Sequence, residues 1–180
     1  WTNADNTTEV THEGLDLNHG TTYYFSVRGL DQVDHVSDPV NSNGATVDTI
    51  PPVVTLIAEE AAEDPTFQGS DSSVTLVWDA SDALSGVEHY EYALGTTAGD
   101  IDLMAWVHAG TDLTVTIQDL VLAEGETYFG SVRVFDFAGN VAEGQGDGVT
   151  VDITAPAAGT TMDITDLNNT ADQSFTGSTT

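Results

Sequence analysis

The chain has 180 residues, of which 30 are Asp or Glu against two Arg and no Lys, giving a formal net charge of -28. Such a surface repels phosphate backbones, which excludes nucleic acid as a partner, and it repels itself, so the compact state calls for screening salt or for divalent cations held by carboxylates. The absence of cysteine excludes disulfides and Cys-based zinc sites, and no run approaches the roughly 18 apolar residues of a membrane span. A hydrophobic fraction of 39%, with alternating apolar runs and three Trp, argues against a disordered acidic tail.

The chain repeats itself. Leu17 to Tyr23 and Leu122 to Tyr128 both read Leu-x-x-Gly-x-x-Tyr, and both continue into a strand ending in Ser-Val-Arg, at Arg28 and Arg133. Trp1 aligns with Trp106, Asp31 with Asp136, and Val47 to Pro52 with Val151 to Pro156. The period is about 104 residues, the size of one β-sandwich module rather than of a solenoid repeat. Phe175 to Ser178 matches Phe67 to Ser70, so a third copy is expected to begin after residue 154. On this reading 1–50 is the C-terminal half of one module, 51–154 a complete module and 155–180 the start of a third. The chain then looks like a window cut from a longer tandem array, and any targeting segment is expected to lie outside it.

Within 51–154 the period-2 patterns predict strands at Val53–Ile57, Ser73–Asp79, Val87–Leu94, Leu113–Ile117, Thr127–Phe135 and Gly148–Asp152. Ile101–Val107 is expected as a further strand or a short helical turn. Asp79 to Gly86 and Asp136 to Asn140 are dense in turn formers and read as loops. Val74, Leu76 and Trp78 are expected to face inward, and Tyr90, Tyr92 and Leu94 to share a face. Seven short strands at this spacing predict an all-β, Greek-key sandwich. Tyr23 and Tyr128 are expected to act as tyrosine corners, with the ring in the core and the hydroxyl on backbone upstream.

An inward Trp on the second strand, a Tyr-rich third strand and Leu-x-x-Gly-x-x-Tyr before the sixth make this chain resemble a fibronectin type III module. The stretches Asp82 to Val87, Tyr90 to Thr96 and Asp136 to Asn140, with the Val-Asp-x-x-x-Pro linkers, resemble the tandem modules of large prokaryotic surface and secreted proteins. The turn departs from the family's Leu-x-Pro-Gly, with His19 and Glu124 at the Pro position. The resemblance implies a fold far more than an activity, since such modules serve as spacers, adhesive stalks and accessory modules.

In this topology Asp79, Asp82, Asp136 and Asn140 gather at one pole, and the linker residue Asp48 enters there. Two readings stand side by side. Calcium takes 6–8 oxygens at about 2.3–2.6 Å, and ligands converging from a linker and two loops would supply several. Equally, these side chains can close their own Asx turns. Arg133 is expected to pair with Glu91 across neighbouring strands. For Trp1 and Trp106 core packing is the favoured expectation, with an exposed sugar-binding platform as the alternative. Asn6 and Asn168 head glycosylation sequons, meaningful only in a host that modifies them. The five His are scattered without ligand spacing, and no nucleophile elbow, zinc-protease motif or P-loop occurs, so the chain is not read as an enzyme.

The function expected is structural: a spacer or stalk segment of a large extracellular or cell-surface protein, an adhesin or filament, with calcium as candidate cofactor at the module junctions. Its partners would be adjacent modules of the same chain and, in a filament, other copies, without insertion into a membrane. Alternatives are a carbohydrate-binding accessory module of a secreted enzyme, or a filament subunit completed by strand exchange. The acidity suits a halophilic source as well as a calcium-loaded one.

Overall fold

The structure, a computed structural model, describes residues 1–5, 7–60 and 64–157. All of its regular elements are strands. Four short ones come first: β1 (Thr22–Tyr23), β2 (Ser26–Val27), β3 (Val40–Asn41) and β4 (Ala45–Thr46). β1 pairs with β4 and β2 with β3, both antiparallel, so together they make one long hairpin. Then follow β5 (Val53–Glu59), β6 (Phe67–Gln68), β7 (Val74–Ser81), β8 (Val87–Gly95), β9 (Met104–Gly110), β10 (Thr114–Ile117), β11 (Thr127–Asp136), β12 (Val141–Gln145) and β13 (Val149–Val151). No helix among the described residues is long and apolar enough to cross a membrane.

Strands β5 to β13 form two sheets. One has the order β10-β7-β5; the other runs β6-β13-β11-β8-β9, with β12 also paired to β11. Pro51 and Pro52 precede β5, where the missing N–H groups take nothing from a ladder. β7 alternates as its sequence predicts: Val74, Leu76 and Trp78 are buried, while Thr75 and Val77 are less so. β11 does the same from the facing sheet, with Tyr128, Val132 and Val134 inward. Trp78 fills the space between the sheets, its ring 6.0 Å from Tyr90 and 6.1 Å from Tyr92. Burying one such Val or Leu contributes about 1.5–3 kcal/mol, and this shared apolar layer is what holds the two sheets face to face.

Several boundaries differ from expectation. β7 runs on to Ser81, two residues past the expected end at Asp79, so Asp79 lies within the strand and not at its junction with the loop. Since Trp78 points inward, Asp79 points out and is exposed. The segment expected over 101–107 is a strand at 104–110. β5 reaches two residues beyond Ile57, which carries Glu59 into the interior. The last strand is split into β12 and β13, separated by Gly146, Asp147 and Gly148, and β6 adds a parallel edge beside β13. Most of the predicted third copy, and both sequon asparagines Asn6 and Asn168, lie outside the described residues.

Candidate functional site

Asp136 is the last inward position of β11, so strand alternation itself brings a carboxylate to the end of the core. The side chain closes its own turn: Oδ1 accepts the N–H groups of Ala138 (2.9 Å) and Asn140 (2.8 Å), and Oδ2 accepts the Asn140 amide (2.7 Å). Burial pushes this carboxyl up, but the Asn140 and Ala138 donors outweigh it and hold the group below its ordinary value. Asp82 does the same in the β7–β8 loop, accepting from the N–H groups of Leu84 (3.1 Å) and Gly86 (2.7 Å).

The linker residue Asp48 meets both loops. Its Oδ2 accepts the Ser85 N–H at 3.0 Å, and its Oδ1 accepts the Ile50 N–H at 3.1 Å. From the other side, Asn140 Nδ2 donates to the Asp48 carbonyl at 3.2 Å. The Asp48 side chain is only 2% exposed, with His19 Nδ1 at 3.4 Å. Hydrogen bonding from Ser85, then from Ile50, holds its carboxyl below the ordinary range. One carboxylate oxygen each from Asp48, Asp82 and Asp136 lies within 4.8 Å of the other two. Of the five residues expected here, four therefore converge; Asp79, pointing out from β7, does not join the carboxylate trio.

The arrangement ties the residues before Pro51 to the sandwich after it. Asn140 bridges three points (Asp136, Asp48 and, at 3.4 Å, the Ile50 carbonyl), and Ser85 adds a fourth from the other loop. Such a junction restricts the linker beyond what proline alone imposes.

The two tryptophans are not core residues. Trp1 is 73% exposed, and Trp106 is half-buried on β9, outside the core cluster. Each lies under the arginine of its own repeat: the guanidinium carbons of Arg28 and Arg133 both sit 4.2 Å from their ring centroids. Cation–π attraction and the arginine stem thus replace the expected burial. Arg133 does stand opposite Glu91, but at 3.9 Å; its close partner is Glu143 on β12, at 2.6 Å, a strand the periodicity did not reveal. Trp106 also borders a groove of about 280 Å³ with Ser131, Glu143 and Gln145. The histidines are less scattered than their spacing implied. His89, Glu91 and His108 bring one ligand atom each within 4.8 Å, with His89 stacked on Phe135. The signal was available in the outward positions of two neighbouring strands.

No protein-family model matches the chain, and no curated protein matches it. Among solved structures it is similar to the chicken CNTN1 FN1-FN3 domains, at 15% identity and a TM-score of 0.43. That alignment covers 74% of this chain and 46% of the other, so the chain spans about half the length of that structure.

Proposed function

We propose that the chain is a spacer or stalk segment of a large extracellular or cell-surface protein, built from tandem fibronectin type III-like modules. In this reading residues 51–154 form one seven-stranded Greek-key module, with β6 as a two-residue addition at the sheet edge and β12 and β13 as a single interrupted last strand. Residues 1–50 and 155–180 belong to its neighbours. The observation that carries the reading is the capture of Asp48 by Ser85 and Asn140, which fixes the angle at which one unit enters the next. A stalk needs that stiffness, and no catalytic step is part of the proposal.

Calcium fits the same role. A cation among Asp48, Asp82 and Asp136 would offset their mutual repulsion and stiffen the junction further. In high salt, screening alone would serve. The sugar-platform alternative draws no support from Trp106, since Arg133 already occupies a face of its ring.

The test is the relative tumbling of the two units, read from residual dipolar couplings of the full chain. One shared alignment tensor for 17–47 and 53–151 is expected, and two tensors in the Asn140→Ala variant. Independent tensors in the unsubstituted chain, with and without millimolar calcium, would end the stiff-stalk reading. Melting with chelator, then calcium, then molar sodium chloride separates specific binding from screening.

A further inference from the structure

At the opposite end of β5 a second group of acids is organised around Glu59. This side chain is 0% exposed, between the two sheets. Its Oε1 accepts the Gly130 N–H at 2.7 Å, and its Oε2 has no hydrogen-bond partner among the described residues. A carboxylate oxygen sealed from water without a donor costs several kcal/mol unless something positive meets it. Neither arginine does, since Arg28 lies on Trp1 and Arg133 on Trp106 and Glu143. What the carboxylate does meet is more negative charge. Asp64 and Asp147 each bring an oxygen within 4.8 Å of it and of each other.

The backbone is shaped to receive this group. A Cβ on Gly146 would stand 2.1 Å from Glu59 Oε1 and 2.4 Å from Oε2, so only glycine leaves room for the carboxylate there. The same segment is where β12 stops and β13 has not begun, with Gly148 at φ +92°. Asp64, at φ +53°, turns back so that its Oδ1 accepts the Glu59 N–H at 3.1 Å. Burial, the largest influence, raises the Glu59 carboxyl above its ordinary value; the Gly130 N–H opposes this, while Asp64 and Asp147 add to it.

We infer that Glu59, Asp64 and Asp147 form a divalent-cation site, separate from the Asp48 junction, that takes calcium. All donors are oxygen, which selects a hard cation over zinc or copper. One ligand is fixed on a strand and the other two sit in irregular loops, which suits the variable geometry of calcium better than the strict octahedron of magnesium. The two aspartates are exposed, so water completes the shell and gives the ion its entry path. The bound ion occupies the unpartnered side of Glu59 and bridges the end of β5 to the interrupted last strand.

The test is a calcium titration of the full, chelator-stripped chain, followed through backbone amide resonances. Gly130, Gly146 and Gly148 are expected to shift saturably, with affinity in the range of about 10⁻⁴–10⁻³ M typical of extracellular modules. The Asp64→Asn/Asp147→Asn double variant keeps the Asp64 acceptor and leaves Glu59 untouched. It should weaken binding about tenfold or more, as expected on removing two of three ligand charges. Ser85 and Asn140 report the junction in the same spectra, so the two sites are read independently. The inference is overturned if the three glycine amides stay still through millimolar calcium, or if their response survives the double variant unchanged.

Discussion

The hairpin of β1 to β4 and the equivalent β11–β13 region carry one motif in two settings. Their local chemistry is the same. Tyr23 Oη accepts the Asn18 N–H at 3.0 Å, and Tyr128 Oη accepts the Ala123 N–H at 2.9 Å. Gly20 donates to the Val47 carbonyl at 2.8 Å, as Gly125 does to Val151. Asp31 closes its turn on the N–H groups of Val33 and His35, as Asp136 does on Ala138 and Asn140. Yet Val27 is 61% exposed, whereas its counterpart Val132 is 0% exposed. The difference is the opposing sheet. β5, β7 and β10 lie over the second copy, and no described strand lies over the first. Turns and corners are thus written locally, while burial is supplied from sequence far away.

That contrast can be broken by paired substitutions. Val132→Ala should cost about 2 kcal/mol in chemical denaturation, from lost transfer energy plus a cavity. Val27→Ala should fall within about 0.5 kcal/mol, as an exposed change does. Equal costs would mean that the hairpin is covered in solution. Tyr128→Phe should cost about 1 kcal/mol by orphaning the Ala123 N–H, with Tyr23→Phe too small to resolve, since water replaces the hydroxyl there.

The cation–π contact should be worth about the same in both copies, because each pair is complete within its own repeat, while Arg133 also gives up its Glu143 pair. Arg28→Lys and Arg133→Lys should each lose about 0.5–1 kcal/mol of local stabilisation, visible as a shift of the Trp1 or Trp106 indole resonances. The smallest effect concerns Glu124, which holds the Ile153 N–H at 2.7 Å where the first copy uses His19 for Thr49. That bond holds the Glu124 carboxyl below its ordinary value. A depressed folded value means stabilisation that is present above the unfolded pKa and lost as pH falls through the folded one. Glu124→Gln should therefore melt slightly lower at neutral pH and converge with the parent chain in acid, which flattens the acid limb of the melting profile.

Much of this architecture was readable from residue order. Alternation in Val74 to Trp78 and in Tyr128 to Val134 placed the core, and Leu-x-x-Gly-x-x-Tyr placed the corners. The gathering of Asp48, Asp82, Asp136 and Asn140 followed from two loops and a linker sharing one pole. Other features resisted for physical reasons. Period-2 patterns do not say where a strand ends, so Asp79 read as the point where strand passes into loop. Val141 to Gln145 carries too few apolar residues to signal β12. Trp106 is large and apolar, which argues for burial by default, and only its neighbour Arg133 explains why it stays at the surface. Glu59 was the hardest to foresee, since a carboxylate gives no hint in sequence that two glycines, Gly130 and Gly146, will make room for it.

The polarity of β5 has a mechanical meaning. The chain enters the sandwich at Pro51, beside the Asp48 junction, and leaves after Val151, beside the corner turn at Gly125. A pull along the chain therefore draws β5 and β13 lengthwise past their neighbours. Their hydrogen bonds stand across the strands, so such a load is shared among them at once instead of opening them singly. Glu59, at the far end of β5, is lodged against the gap that precedes β13. An ion held there would act as a shear pin, and withdrawing calcium would lower the force at which the module yields.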